Sequence, residues 1–211
     1  MIVIPVYEGV DLLDVTGPCE MFRWAGIEVC LVAQAAGPVV CNGGLTLLVD
    51  KSFADAPLGE VLWTPGGAPE ALVRLMNDRD RTFLKFLVKQ SQNARYVASV
   101  CEGALLLAAA GLLDGYTVTT HWAFIPCLLQ RFPKVKVADG HPRFHLDRNR
   151  LTGGGISSGL DESLELIRLL QGEAAAQGVQ QTTQYYPDPP VTSEIPATIS
   201  CPLDEVTAAS R

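Results

Sequence analysis

The sequence predicts an α/β fold, a mainly parallel sheet with helices on both faces. Three observations carry that expectation. Short runs rich in Val, Ile and Leu recur along the chain, at Ile2 to Val6, Ile27 to Ala33, Val61 to Thr64 and Arg95 to Val100, with the length and composition of buried strands. Helical segments lie between them, and strand alternating with helix builds parallel sheets. Several strands run directly into Asp, Gly or Cys, so the chain turns repeatedly at one sheet edge, where such folds bind ligands.

Taken in order, Ile2 to Val6 is the first strand and Glu8-Gly9 a turn. Asp11 is a plausible N-cap for the segment that follows. Gly17 and Pro18 are awkward in a regular helix, so irregular winding is expected before helix continues from Glu20 to Trp24. Ile27 to Ala33 is the second strand. Asn42-Gly43 signals a hairpin between extended pieces at Val39-Val40 and Leu45 to Val49. Val61 to Thr64 ends in Pro65-Gly66-Gly67, where the backbone can approach another group closely. Helices are expected at Ala71 to Met76, Arg81 to Lys89 and 102–110, with a strand at 95–100 between the last two. Thr117 to Thr120 leads into His121-Trp122 and a helical run to Leu129. Short strands follow at Val135 to Val137, Arg143 to His145 and up to Thr152. Ser158-x-x-Asp161 resembles a capping box that opens a last helix to Leu170. These elements make one domain, 1–171. The rest, 172–211, is polar and then Pro-rich, and reads as an extended, non-helical tail packing on the domain or on a dimer partner.

Composition narrows the function classes. The net charge of −7 offers no basic surplus to neutralise phosphates, so nucleic acid is not expected as a partner. No apolar run is long enough to span a membrane, and the first residues already read as a strand, not a targeting signal. The six cysteines are scattered, with no C-x-x-C pair. Neither a zinc site nor disulfides are expected, and a reduced, cytoplasmic setting follows. His141 and His145 have helical ligand spacing, but Gly140 and Pro142 place them in loop and strand, so no metal site is assigned. The glycines at 153–155 lack the Lys and Ser/Thr of a phosphate loop, and no nucleotide cofactor is expected.

One stretch carries chemistry. Cys101 lies where a buried strand turns into an Ala/Leu helix, facing the first free N–H groups of that helix. A thiol there feels the positive end of the helix dipole, so its pKa is expected to fall, as in a nucleophile elbow with Cys in place of Ser. Gly103 permits the tight turn. The alternative is a buried structural cysteine. Asp14 follows the first strand and Gly66-Gly67 a middle one, so both fall on the same sheet edge as Cys101. Asp14 taken alone could equally be a helix cap.

The chain resembles the DJ-1/PfpI superfamily through Leu13-Asp14-Val15-Thr16-Gly17-Pro18, Pro65-Gly66-Gly67, Ser99-Val100-Cys101-x-Gly103, Ala110-Gly111-Leu112-Leu113-Asp114-Gly115, Thr119-Thr120-His121-Trp122 and Leu151-Thr152-Gly153-Gly154-Gly155-Ile156. The motifs keep their order over residues 1 to about 170. Within the superfamily the likeness is to the isocyanide hydratases and to the amino-terminal domains of certain AraC-type regulators. It implies a flavodoxin-like sandwich, a homodimer, a small-molecule substrate and no cofactor. It implies Cys101 as a thiolate nucleophile and Asp14 as the acid beside the sulfur. The N–H groups of Gly67 and Glu102 would be the oxyanion donors, and His121 either lies near the Cys, as in hydrolytic members, or packs under Trp122. One position departs: the hydratases carry Thr directly after the nucleophile, where this chain has Glu102. A Glu pointing into the site would oppose a thiolate and raise its pKa, leaving a carboxyl pair that flanks the sulfur. Three functions follow as expectations. The first is hydration of an isocyanide through Cys101. The second is glyoxalase- or amidase-type chemistry with Cys101 and His121. The third is a small-molecule or redox sensor, though a regulator of the AraC type needs about a hundred further residues for DNA binding.

Overall fold

The structure, a computed structural model, describes residues 1–209. Its centre is a seven-stranded sheet. β1 (Ile2–Pro5) is buried at every position and lies between β2 (Val29–Ala33) and β6 (Val61–Thr64), all three parallel. β7 (Tyr96–Ser99) runs parallel to β6, and β11 (Arg150–Gly153) parallel to β7. β10 (Phe144–Asp147) closes one edge antiparallel to β11, and the short β5 (Lys51–Ser52) closes the other on β2. The resulting order is β10-β11-β7-β6-β1-β2-β5. Central strands covered on both faces need apolar side chains on both faces, which is why β1 and β6 read as unbroken hydrophobic runs. β3 (Gly37–Val40) and β4 (Thr46–Val49) form the expected hairpin, and β8 (Thr117–Val118) pairs with β9 (Lys136–Val137) outside the main sheet.

Helices cover the sheet in two layers. α1 (Leu12–Trp24), α6 (Ser158–Gln171) and α7 (Glu173–Thr182) pack together in one. α2 (Pro69–Met76), α3 (Thr82–Ser91), α4 (Gly103–Ala109) and α5 (Ile125–Arg131) pack in the other, with α8 (Pro202–Ala209) lying on α2. α4 is apolar all round because it is enclosed all round: Ala104 to Leu107 are fully buried. The α/β architecture with a mainly parallel sheet is therefore the one the sequence predicts. No helix among the described residues is long and apolar enough to cross a membrane.

Four local expectations are corrected. α1 is continuous through Gly17 and Pro18. Pro18 has no N–H for the carbonyl of Asp14 four residues back, and the Trp63 indole N–H supplies that bond instead, at 3.1 Å. Asp11 occupies the cap position of α1, but its carboxylate makes no cap bond and accepts from Asn42. The box at Ser158 is not a capping box: Ser157 is the cap residue, and Asp161 instead accepts from Arg143 and Tyr185. The tail is not extended throughout, since α7 and α8 both lie within it, and between them 183–201 runs without helix or strand.

The cysteines supply the largest correction. Cys127 and Cys201 form a disulfide across 74 residues, where none was expected. Scattered spacing hides such a pair, because a bridge depends on where the tail returns and not on local pattern. It fixes α8 to α5, and closing a loop of that length is worth about 4 kcal/mol on chain entropy.

Candidate functional site

The site lies at the C-terminal ends of β1, β6 and β7. Cys101 joins β7 to α4 with a φ of 56°, in the left-handed region where a non-glycine residue costs about 1 kcal/mol or more. Its neighbours hold that conformation. Its N–H donates to the Gly154 carbonyl at 2.8 Å, and its carbonyl accepts from the Thr120 hydroxyl at 2.8 Å. The sulfur accepts from the Ile156 N–H at 3.4 Å. The side chain is fully buried.

Two carboxyls flank it. Asp14 is buried in the first turn of α1, where its Oδ2 accepts from the Gly66 N–H at 2.9 Å and its Oδ1 has no partner. Its neighbour Pro18 leaves its backbone carbonyl to Trp63, so main chain and side chain are each tied to β6 or the turn after it. Asp14 thus stands beside Cys101 and does not occupy the cap position of α1. Glu102 points inward and is only 5% exposed, with Oε2 unpartnered. Gly66 and Gly103 make this closeness possible. A Cβ on Gly66 would collide with the Glu102 carboxyl and lie 2.8 Å from the Cys101 Cβ, and one on Gly103 would overlap the Thr64 carbonyl oxygen. Tyr7, at the end of β1, completes the floor, its hydroxyl donating to the Pro65 carbonyl at 3.1 Å.

This enclosure sets the protonation. Burial pushes Asp14 well above the usual carboxylate range, against the pull of the Gly66 N–H, and the nearby Glu102 charge adds to the rise. Burial likewise raises Glu102 to about 7. The N–H groups of Gly67 and of Glu102 itself, expected as oxyanion donors, act here on the Glu102 carboxyl and favour its charged form. The Cys101 thiol is raised well above its ordinary value, first by burial and then by the charges of Asp14 and Glu102. The expectation of a lowered thiol pKa is corrected: the helix end favours the thiolate, but two carboxyls and the loss of water outweigh it. Ligand atoms of Asp11, Asp14, Cys101 and Glu102 all lie within 4.8 Å of one another. A metal ion could be held there only by displacing the protons that burial keeps on Asp14 and Glu102.

His121 stands apart from this cluster. Its Nδ1 accepts from the Ala123 N–H at 3.2 Å, its ring packs beside Trp122 and Phe124, and burial lowers its pKa. Among the described residues it makes no hydrogen bond to Cys101, Asp14 or Glu102. It lines a cavity of about 360 Å³ whose wall also includes Thr120, Gly154 and Ile156, three residues that bond Cys101 directly. His141 lies in the loop at the cavity rim, and His145 in β10.

Sequence reasoning missed Glu162. It looks like a solvent-facing residue of α6, yet it is fully buried behind the site, against Gly153, and neither carboxyl oxygen is hydrogen-bonded. Burial, then the Asp14 charge, raises its pKa well above the usual carboxylate range, while the Ser99 backbone works the other way. A raised folded pKa means the protonated form stabilises the fold. That contribution is complete below pH 4.5 and declines as pH rises toward the folded pKa. Glu162→Gln is therefore expected to gain melting temperature over the parent progressively from mildly acidic to alkaline buffer. A constant difference across that range in thermal melts would show that Glu162 is not held neutral.

The chain is similar to known proteins along nearly its whole length. Residues 1–168 match the DJ-1/PfpI family model. The chain is 40% identical to an isonitrile hydratase of Pseudomonas putida over 95% of its own length and 85% of that protein. It is 28% identical to the HTH-type transcriptional regulator GbdR of Pseudomonas aeruginosa, over 79% of this chain but only 42% of the regulator. Among solved structures, a ThiJ/PfpI family protein from Pseudomonas syringae superposes with a TM-score of 0.83 at 33% identity, covering 99% of this chain and 83% of that one. DJ-1beta of Drosophila melanogaster shares the fold, with a TM-score of 0.76 at 20% identity over 87% of this chain and 96% of its own. A family match over residues 1–168, 40% identity along 95% of the chain and a superposition that covers 99% of it have one reading in common: this protein belongs to the DJ-1/PfpI family.

Proposed function

We propose that the protein is a cysteine-dependent hydratase that adds water to an isocyanide and releases an N-substituted formamide. The observation that carries this reading is the clustering of the Cys101 sulfur with the Asp14 and Glu102 carboxyls in a dry pocket, ligand atoms within 4.8 Å. The terminal carbon of an isocyanide accepts an electron pair and then needs a proton, and this cluster offers one of each. The thiolate form of Cys101 attacks that carbon, and Asp14 delivers its proton to it, which gives a thioimidate on Cys101. Water then adds to the thioimidate carbon, one of its protons passing through the Asp14 carboxylate to the nitrogen. Collapse of the adduct breaks the carbon–sulfur bond, returns the hydroxyl proton to Asp14 and restores the thiolate. Atoms balance as isocyanide plus water to formamide. The Gly67 and Glu102 N–H groups become available to developing negative charge once the Glu102 carboxyl moves aside.

Resemblance to the Pseudomonas putida hydratase at 40% identity supports the reading. Glyoxalase or amidase chemistry is less favoured, because His121 turns its Nδ1 to Ala123 and does not bond the sulfur. A sensor role has the regulator similarity in its favour, and it predicts ligand binding without turnover. The test is direct. The protein incubated with a small alkyl isocyanide should form the formamide, and mass spectrometry of the quenched reaction should find a thioimidate on the Cys101 peptide. Binding without product would leave the sensor reading. Turnover of methylglyoxal alone would leave the glyoxalase one. A homodimer is part of the same proposal, whereas the cytoplasmic setting expected from unpaired cysteines loses that ground once Cys127 and Cys201 are bonded. Leu45 and Leu48, exposed on the β3–β4 hairpin, and Trp24 at the end of α1 support a second subunit. A monomer mass by light scattering would remove it.

A further inference from the structure

The tail between α7 and α8 follows a specific path. It leaves α7 with the Tyr185 hydroxyl donating to Asp161 on α6 at 2.9 Å. Pro187, Asp188 and Pro189 then lie over Arg143 and Ser157, beside the start of α6. Further on, Ile195 forms part of the wall of the 360 Å³ cavity, which also includes His121 and Ile156. The chain finally reaches Cys201, bonded to Cys127 on α5, while Asp204 pairs with Arg131 and α8 settles on α2. Residues 186–200 are thus held at both ends, on α6 and on α5, and pass the cavity between the two anchors. Pro187, Pro189, Pro190 and Pro196 stiffen the span.

That cavity lies next to the surroundings of the sulfur, although Cys101 is not part of its wall. Its inner wall consists of backbone that holds Cys101: Gly154 accepts the Cys101 N–H, and Ile156 donates to the sulfur. Cys101 itself is fully buried, so a reagent must first enter beside Ile156 and displace that contact. Among the described residues Ile195 is the one aliphatic side chain of the tail lining this space, and half of its surface is covered.

We propose that residues 186–200 are a strap across the entrance, that Ile195 determines the size of the group that can reach Cys101, and that the Cys127–Cys201 bond is the tie. This rests on the reading of Cys101 as the reactive atom, but not on hydration as the reaction. Small or slender substituents would be admitted, and bulky aryl groups would meet the Ile195 side chain. Loss of the tie would free the strap at one end and remove that discrimination.

The experiment compares alkylation of Cys101 by iodoacetamide and by N-phenylmaleimide, each rate read by peptide mapping. Their ratio cancels changes in thiol reactivity and reports the entrance alone. Ile195→Ala is expected to raise the maleimide-to-iodoacetamide ratio about tenfold, the order that a few carbon atoms make in an apolar pocket. Ile195→Trp should lower it. The Cys127→Ala/Cys201→Ala double variant should match Ile195→Ala, and adding Ile195→Ala to it should change nothing further, because both act through one strap. A ratio unchanged in Ile195→Ala and Ile195→Trp, with melting curves showing both folded, would overturn the strap. A parental ratio in the double variant alone would overturn the tie. Failure of isocyanide turnover would touch neither result.

Discussion

Asp14→Asn is expected to lower turnover about 10²-fold or more while leaving the fold in place. The amide oxygen can accept the Gly66 N–H as the Asp14 Oδ2 does at 2.9 Å, and the Trp63 indole bonds the backbone carbonyl, which the substitution does not touch. What disappears is the transferable proton. Asp14 is held protonated by burial, and attack by the sulfur on a carbon lone-pair acceptor cannot finish until a proton arrives. The loss should therefore fall on kcat, with KM little changed, since an interaction needed only in the transition state has gone. Cys101→Ala is the reference, with turnover at background. Steady-state kinetics beside a thermal melt decide the matter. Undiminished kcat in Asp14→Asn, with loss confined to Glu102→Gln, would exchange the roles of the two carboxyls.

The parts of this molecule that were legible in the sequence are those written locally. Buried strands such as Val61–Thr64 announce themselves by composition, and each of the turns carrying Asp14, Gly66 and Cys101 follows such a strand. Parallel topology then brings all three to one edge without further information. Pro18 shows the limit of local rules. It reads as a break, but its lost hydrogen bond is made good by Trp63 from a strand 45 residues away, a partner that no local window contains. The disulfide fails to show for the same reason, since Cys201 meets Cys127 only because the tail returns across the domain. The Cys101 pKa was misjudged for a different reason. The helix end was visible in the sequence, whereas the inward turn of Glu102 and the exclusion of water depend on the packing of Gly66 and Gly103. Glu162 was missed because a single acidic residue in an amphipathic helix gives no signal that its face is buried.

Glu102→Gln is expected to make Cys101 the more acidic thiol, with an effect that grows as pH rises. The Glu102 side chain makes no cap bond to α4, so the amide removes a charge without undoing a helix end. Its carboxyl ionises at about 7 in the parent protein. Below that pH both proteins carry a neutral group beside the sulfur and should behave alike. Above it the parent places a negative charge within 4.8 Å of the thiol and the variant does not. At an effective dielectric constant of about 20, that charge is worth on the order of 3 kcal/mol, or roughly 100-fold in the balance between thiol and thiolate. Thiolate absorbance, with Cys101→Ala subtracted, should therefore rise at lower pH in the variant. Stability follows with its own sign. The raised Glu102 pKa means that its neutral form stabilises the fold below 4.5, and that this contribution is lost between 4.5 and about 7. Glu102→Gln keeps a neutral group throughout, so its melting temperature should gain on the parent over that interval and hold the gain above it. Coincident thiolate titrations would mean that the Glu102 charge is turned away from the sulfur, and the pair flanking Cys101 would reduce to Asp14 alone.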